Sequence, residues 1–140
     1  MPDKRFSLVT QEVLRRAQEA AVELGHNYVG CEHLLLSISR CRVCTAQRVL
    51  SEAGVTESVL LTGIEQRLGR GSGAGAPQNG LTASARSAIE LAVSEAQSAH
   101  SAFIEPEHLL LGLVHEGGNS AAELLADFGV DMKKLRVSLL

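Results

Sequence analysis

Apolar residues recur at the three- and four-residue spacing of helices in two separate stretches of the chain. Each stretch has capping residues before the apolar positions and glycines where the pattern stops, which predicts four helices per stretch. The predicted helices run from a Ser7 cap to Gly25, from Glu32, over about 44–53 and 56–68, from Thr82 to Ala99, from Glu107, and over about 119–128 and 131–140. The helices beginning at Glu32 and Glu107 are hydrophobic all round, which is typical of central core helices.

The two stretches are copies of one motif. Glu32-His33-Leu34-Leu35-Leu36 recurs 75 positions later as Glu107-His108-Leu109-Leu110-Leu111, and the same shift without a gap aligns Gly54-Val55 with Gly129-Val130. The pattern therefore predicts an all-α fold of eight helices, arranged as two four-helix repeats within one domain over 1–140. Repeat 1 spans about 5–68 and repeat 2 about 82–140. The glycine-rich segment 69–81 between them is predicted to be a flexible linker that does not force their geometry.

Composition narrows the fold class and the partners. Aromatic residues make up 3% of the chain and tryptophan is absent, so the apolar content comes from helix formers rather than strand formers. A formal charge of -3 lacks the basic excess used to bind nucleic acid, and no apolar run is long enough for a membrane span. Neither an export signal nor a P-loop motif is present, and the cysteines number three, so we expect a cytoplasmic chain with reduced thiols.

Three motifs carry a resemblance to a known family. Arg5-Phe6-Ser7, the loop from Gly25 to Gly30 before Glu32-His33-Leu34-Leu35, and the duplicate Glu107-His108-Leu109-Leu110-Leu111 resemble the N-terminal domain of Clp/Hsp100 AAA+ unfoldases, closest to the ClpC type. The resemblance implies a pseudo-twofold pair of four-helix repeats without catalytic activity or a cofactor. It further implies that the domain receives substrate and adaptor proteins for a hexameric unfoldase that feeds a ClpP-type peptidase. We expect the isolated domain to be monomeric.

Three alternatives remain open from the sequence. The chain is either the receptor domain of an unfoldase or a stand-alone accessory subunit that docks on a Clp core. A reading frame that continues past Leu140 into a Walker A motif would distinguish them. The last helix stops in mid-pattern, which favours a truncated chain. A small thiol or zinc protein using Cys31, Cys41 and Cys44 is the remaining alternative.

A pair of repeat-equivalent pockets forms the candidate binding site. The first groups Ser7 with Val29, Gly30 and Glu32, and the second groups Thr82 with Ile104, Glu105 and Glu107. Free N–H groups at a helix start and a nearby hydroxyl suit an anion, and a carboxylate suits a guanidinium. The resemblance implies phosphoarginine as the ligand, with its guanidinium on Glu32 and Glu107 and its phosphate near Ser7 and Thr82. Simple helix capping by these same residues is the alternative interpretation.

The second pocket departs from the ClpC pattern. ClpC-type sequences typically have Gly-Thr-Glu-His here, whereas this chain has Gly30-Cys31-Glu32-His33 and Glu105-Pro106-Glu107-His108. Pro106 removes a backbone donor and Glu105 adds negative charge near the expected phosphate. We therefore expect the first pocket to be the better one, with Glu32→Ala abolishing phosphoarginine binding and Glu107→Ala changing little.

The histidines and cysteines are predicted to be structural. His33 and His108 lie beside acidic residues but have no accompanying nucleophile, so each is expected to bond a neighbouring loop. Cys31 and Cys41 bracket a predicted helix and would lie roughly 15 Å apart, too far to share a zinc ion. We assign no role to His26 at this point.

Overall fold

The computed structural model describes residues 5–73 and 79–140, and its regular elements are helices. They are α1 (Leu8–Glu23), α2 (Cys31–Arg40), α3 (Thr45–Glu52), α4 (Glu57–Arg67), α5 (Ala83–Ser98), α6 (Pro106–Glu116), α7 (Ser120–Asp127) and α8 (Met132–Leu139). This confirms the all-α prediction of two four-helix stretches, with the predicted bounds within about two residues of those observed. None of the helices within the described ranges is long and apolar enough to cross a bilayer.

Local capping explains why these helices begin where they do. The hydroxyl of Ser7 accepts from the N–H of Thr10, and the hydroxyl of Thr82 accepts from the N–H of Ala85. Each bond satisfies one of the N–H groups that a helix start leaves without a partner. At the end of α1, Gly25 has φ 72°, a left-handed conformation that glycine adopts without strain.

The two repeats share one hydrophobic core. Helices α2 and α6 lie at its centre, and both leucine triplets, Leu34–Leu36 and Leu109–Leu111, are almost fully buried. Helix α2 packs on α1, α3 and α4 of its own repeat and also on α5, α6 and α7 of the other. This confirms that these are core helices. Because each central helix contacts both halves, the repeats are stabilised by each other rather than standing as separate cores.

The glycine-rich segment between the repeats differs from the expected free linker. The N–H of Gly71 donates to the carbonyl of Leu24 at 2.8 Å, and the N–H of Gly73 donates to Gly25 at 2.9 Å. A Cβ atom at Gly71 would lie 2.1 Å from the carbonyl oxygen of Gly25, so this approach requires glycine. Residues 69–73 and 79–81 therefore lie against the α1–α2 loop, and part of the predicted linker, 74–78, lies outside the described residues.

Candidate functional site

The segment that leads into α1 pairs with repeat 2. Phe6 and Ile104 form an isolated parallel bridge, and the N–H of Ser7 donates to the carbonyl of Ile104 at 3.2 Å. The hydroxyl of Thr10 donates to the same carbonyl at 2.8 Å. Ser7 therefore lies beside the loop that precedes Glu107, and the expected grouping of Ser7 with Val29, Gly30 and Glu32 is wrong.

The segment that leads into α5 makes the reciprocal exchange. Val29 bridges Leu81, and the N–H of Thr82 donates to the carbonyl of Val29 at 3.0 Å. Thr82 thus lies with the loop before Glu32, and its expected grouping with Ile104, Glu105 and Glu107 is also wrong. The physical reason is that the duplicated halves pack against each other. The segment before α1 therefore pairs with the loop before α6, and the segment before α5 pairs with the loop before α2.

We define two cross-repeat sites from these contacts. The Glu107 site consists of Ser7, Ile104, Glu105 and Glu107, with Cys44 at the start of α3. The Glu32 site consists of Thr82, Val29, Gly30 and Glu32, with Ser120 at the start of α7. In the Glu32 site, the N–H of Glu32 donates to the Ser120 hydroxyl at 3.1 Å. In the Glu107 site, α3 packs on α6, and burial chiefly raises the pKa of the Cys44 thiol, with the nearby Glu107 charge adding to the shift.

Three helix N-termini meet at each site. Helices α1, α3 and α6 begin at the Glu107 site, and α2, α5 and α7 begin at the Glu32 site. The first N–H groups of a helix have no intrahelical partner, and the aligned peptide dipoles add positive potential there. Both sites therefore combine an anion-attracting backbone with one glutamate at the second position of a helix.

The Glu32 carboxylate is closed off inside its site. The side chain is 2% exposed, Oε2 accepts from the Tyr28 hydroxyl at 2.8 Å, and Oε1 accepts from the Ser120 hydroxyl at 2.5 Å. Burial, together with this hydrogen bond to Glu32, raises the pKa of Tyr28 above its usual range. A guanidinium can reach Glu32 only if Tyr28 and Ser120 release it.

The Glu107 carboxylate is in the opposite state. Glu107 is partly exposed, and across the described residues its carboxylate accepts no hydrogen bond. The difference is traceable to the helix cap two positions earlier, because a Cβ atom on Gly30 would lie 2.4 Å from Oε1 of Glu32. Gly30 leaves room for its glutamate to fold back, whereas Glu105 occupies the equivalent position with a side chain.

The hydroxyl groups of the two sites also differ. Thr10 uses its single proton on the Ile104 carbonyl, so the Ser7 hydroxyl donates to Thr10 at 2.9 Å as well as accepting from its N–H. The Thr82 hydroxyl accepts from Ala85 at 3.1 Å, and its proton has no acceptor in the part of the chain that the structure describes. The Glu32 site thus keeps a free hydroxyl donor, and the Glu107 site keeps a free carboxylate.

His33 and His108 cap the N-termini of α2 and α6 with the same hydrogen bond. The N–H of Gly30 donates to Nδ1 of His33, and the N–H of Glu105 donates to Nδ1 of His108, both at 2.9 Å. Each imidazole bonds a neighbouring loop, which confirms the expected structural role. The bond also fixes the neutral tautomer, because the remaining ring proton must lie on Nε2.

A buried histidine pair extends this cap in repeat 1 only. His33 Nε2 lies 2.8 Å from His26 Nδ1, and His26 Nε2 lies 2.9 Å from the carbonyl oxygen of Gly69. Because His33 must donate from Nε2, His26 accepts at Nδ1 and donates to Gly69. The repeat pattern carries no signal for this chain of bonds, since the position equivalent to His26 is Ser101.

His26, Glu32 and His33 also form a cluster with metal-ligand atom types, their ligating atoms lying within 4.8 Å of one another. A metal does not fit this set, because His33 Nδ1 already accepts from Gly30 and its proton occupies Nε2. Binding an ion through His33 Nε2 while Nδ1 keeps its bond to Gly30 would require an imidazolate. The geometry instead describes a hydrogen-bond network whose polar groups are satisfied without an ion.

The cysteines have the properties of structural thiols. Cys31 is buried, while Cys41 and Cys44 are half-buried. Burial, reinforced by Glu116 and Glu32, raises the pKa of Cys31 to about 12, and burial chiefly raises the pKa of Cys44 to about 12. The reactive thiolate form is therefore scarce near neutral pH.

The fold and the two sites together define an all-α domain built from a duplicated four-helix repeat. The family described as "Clp repeat (R) N-terminal domain" matches residues 5–84 and 80–140, so the chain belongs to this family. The chain is 36% identical over 136 residues to the "Negative regulator of genetic competence ClpC/MecB" of Bacillus subtilis, covering 97% of this chain and 17% of that protein. It is 38% identical over 137 residues to a "ClpA homolog" ATP-binding subunit of Cyanidium caldarium, covering 98% of this chain and 16% of the relative.

Solved structures show the same fold at lower identity. The N-terminal domain of ClpD from Arabidopsis thaliana has a TM-score of 0.82 at 21% identity, covering 99% of this chain and 94% of that one. The Hsp104 N-terminal domain from Candida albicans has a TM-score of 0.78 at 13% identity, covering 97% and 89%. The chain spans about a sixth of the length of the curated relatives it matches.

Proposed function

We propose that this chain is the substrate- and adaptor-binding N-terminal domain of a ClpC-type, ATP-dependent unfoldase, and that it recognises proteins marked with phosphoarginine. Its family membership and its similarity to ClpC- and ClpA-type proteins support the first part. The ATPase modules would lie in the rest of a hexameric, cytoplasmic parent, which would pass substrates to a ClpP-type peptidase. The isolated domain would be a monomer.

The observation that carries the ligand proposal is the composition of the two cross-repeat sites. Each brings three helix N-termini together with one glutamate, and so offers an anion-attracting end beside a carboxylate. Phosphoarginine has the matching ends, a phosphoryl group and a guanidinium. The proposed ligand residues are Ser7, Ile104 and Glu107 in one site, and Thr82, Val29, Gly30 and Glu32 in the other.

The Glu107 site is the one we propose to bind first. Its carboxylate is open, whereas Glu32 must first lose its bonds to Tyr28 and Ser120. Glu105 opposes the phosphoryl group and Pro106 offers no N–H, so binding at the Glu107 site is weaker than an ideal site would give. This order is the reverse of the one expected from the sequence, because the sequence does not show that Tyr28 and Ser120 hydrogen bond to Glu32.

Calorimetric titration of the domain tests the proposal. We expect saturable binding of free phosphoarginine, with arginine and phosphoserine each weaker by about tenfold or more, because each supplies only one of the two charged ends. Equal binding of all three compounds, or no heat with phosphoarginine, would remove phosphoarginine from the proposal.

A further inference from the structure

A groove lies on repeat 1, and its lining shares no residue with either cross-repeat site. It runs between α1 and the C-terminal end of α2 and holds a volume of about 440 Å³. Leu8, Val9, Val13 and Val43 supply its apolar lining, with Val43 coming from the loop after α2. A volume in this range accommodates a few side chains of a bound peptide.

The mouth of the groove is unusually apolar for a water-facing surface. Leu8 is 82% exposed and Val43 is 81% exposed, and both belong to the groove lining. Single exposed apolar residues are ordinary, but two that flank a preformed cleft place hydrophobic area where a partner would bury it. Val13 at the base is 2% exposed, so the cleft already has a packed floor.

Charge at the groove favours a partner that carries a carboxylate. Three arginines, Arg16, Arg40 and Arg42, line it against one carboxylate, Glu12. Hydrogen bonds from Arg15 and Arg16 lower the pKa of Glu12 to about 2, so Glu12 is ionised and already paired.

Arg42 is the available cation of this set. Arg40 is held by Glu23 at 2.6 Å and by Glu57 at 2.8 Å, and Arg16 by Glu12 at 2.9 Å. Arg42 is exposed and forms no hydrogen bond or ion pair with residues 5–73 or 79–140. A guanidinium beside an apolar cleft recognises a carboxylate next to an apolar side chain.

Repeat 2 lacks these features at the equivalent positions. Gly112 stands where α2 has Ser37, and a Cβ atom there would lie 2.3 Å from the carbonyl oxygen of Ala88, so α5 and α6 pack backbone to backbone. In repeat 1, the Ser37 hydroxyl instead bonds the Val13 carbonyl at 2.6 Å. Gly117 and Gly118 replace Arg42 and Val43. The groove is therefore a feature of repeat 1 that the equivalent positions of repeat 2 do not reproduce.

We infer that this groove docks an extended segment of a partner protein in which an apolar side chain is followed by an aspartate or glutamate. The apolar side chain lies over Val9 and Val13, between Leu8 and Val43, and the carboxylate pairs with Arg42. This inference rests on the proposed function insofar as the domain receives protein segments, but it needs neither phosphoarginine nor the two cross-repeat sites.

Fluorescence anisotropy with labelled synthetic peptides tests the inference. The probe is a short, flexible peptide with two Leu-Asp pairs among glycine and serine, and its matched forms replace each Asp by Lys or each Leu by Ser. We expect saturable binding of the Leu-Asp peptide, with either matched form weaker by about tenfold or more. Equal binding of the Leu-Lys peptide, or no saturation with Leu-Asp, would overturn the inference.

Matched variants locate the binding on the domain. We expect Leu8→Ser combined with Val43→Ser, and separately Arg42→Glu, to weaken the Leu-Asp peptide about tenfold, and Arg42→Lys to keep most of the affinity. These side chains are exposed, so the variants leave folding intact, which circular dichroism checks. Val137→Ser and Lys133→Glu on α8 change the same residue classes elsewhere and should leave affinity unchanged. Full peptide binding by the Leu8/Val43 variant would contradict the assignment.

The same variants separate the two proposals. We expect the groove variants to bind phosphoarginine like the parent, and Glu107→Ala to bind the Leu-Asp peptide like the parent. Peptide binding without any phosphoarginine binding would refute the ligand proposed for the cross-repeat sites and support the groove. Phosphoarginine binding without peptide binding would do the reverse.

Discussion

The Glu32 site and the Glu107 site occupy equivalent places in the two repeats, yet their carboxylates are in opposite states. Glu32 is buried and accepts two hydroxyl hydrogen bonds, whereas Glu107 is partly exposed and accepts none from the described residues. Both lie at the second position of a helix whose start is held by a histidine at the third. The duplication has kept the scaffold of the site and changed the access to it.

Three substitutions between the repeats account for the difference. Gly30 makes room for the folded-back carboxylate, where Glu105 has a side chain. Tyr28 supplies a hydroxyl, where Phe103 has none and is 51% exposed. Ser120 bonds Glu32, while its counterpart Thr45 makes no such bond to Glu107. A repeat-equivalent position is thus weak evidence for an equivalent role when its neighbours differ.

The largest expected difference between the repeats concerns acid stability and His33. Burial lowers the pKa of His33 to about 4, Glu32 opposes this, and His26 lowers it further. Because the folded pKa lies below the unfolded value, the unfolded chain takes up the proton first as pH falls through about 6.5. Stability is fully present above that pH, and on the order of 3 kcal/mol is lost by about pH 4.

The variant His33→Asn isolates this contribution. Asparagine can still accept from the Gly30 N–H near the position of Nδ1 but does not titrate, so urea unfolding should show a shallower loss of stability between pH 6.5 and 4. The same pH dependence in the parent and the variant would show that folding does not lower the pKa of His33.

A smaller effect distinguishes the two glutamates by stability at neutral pH. Glu32→Ala removes the acceptor of two hydroxyls in a buried setting and should cost about 1–2 kcal/mol. Glu107→Ala is the matched control and should change the free energy of unfolding by less than about 0.5 kcal/mol. Urea denaturation of both variants measures the difference, and equal costs would mean that Glu32 is not closed off as described.

The smallest expected stability change comes from making the Glu32 site resemble its counterpart. In Gly30→Ala the new Cβ displaces the Glu32 carboxylate, which is the end of a flexible side chain, and the reduced unfolded-state freedom offsets about 0.4–1 kcal/mol. We expect a net cost below about 1 kcal/mol and the appearance of a second, weaker phosphoarginine site in calorimetry. An unchanged number of sites would show that Gly30 does not control access.

The sequence predicted the scaffold well and the site's inner arrangement poorly. Helical spacing, the Ser7 and Thr82 caps and the 75-position repeat are local signals, and they located the eight helices. The pairing between the segment before a helix and a loop is a long-range contact, and two copies of one motif offer two possible partners. The sequence pattern does not decide between them, and it therefore groups Ser7 with the wrong glutamate. Likewise, the glycine-rich composition of 69–73 predicts a flexible linker, whereas Gly71 allows a close backbone contact with Gly25.

Phosphoarginine calorimetry on Glu107→Ala and Glu32→Ala tests most directly whether access to the carboxylate decides binding. We predict that Glu107→Ala loses about tenfold or more in affinity, whereas Glu32→Ala stays within about threefold of the parent once both are shown to be folded. Glu105→Ala, which removes the opposing charge, should bind more tightly than the parent. The contradicting result is a loss of binding in Glu32→Ala with Glu107→Ala unaffected.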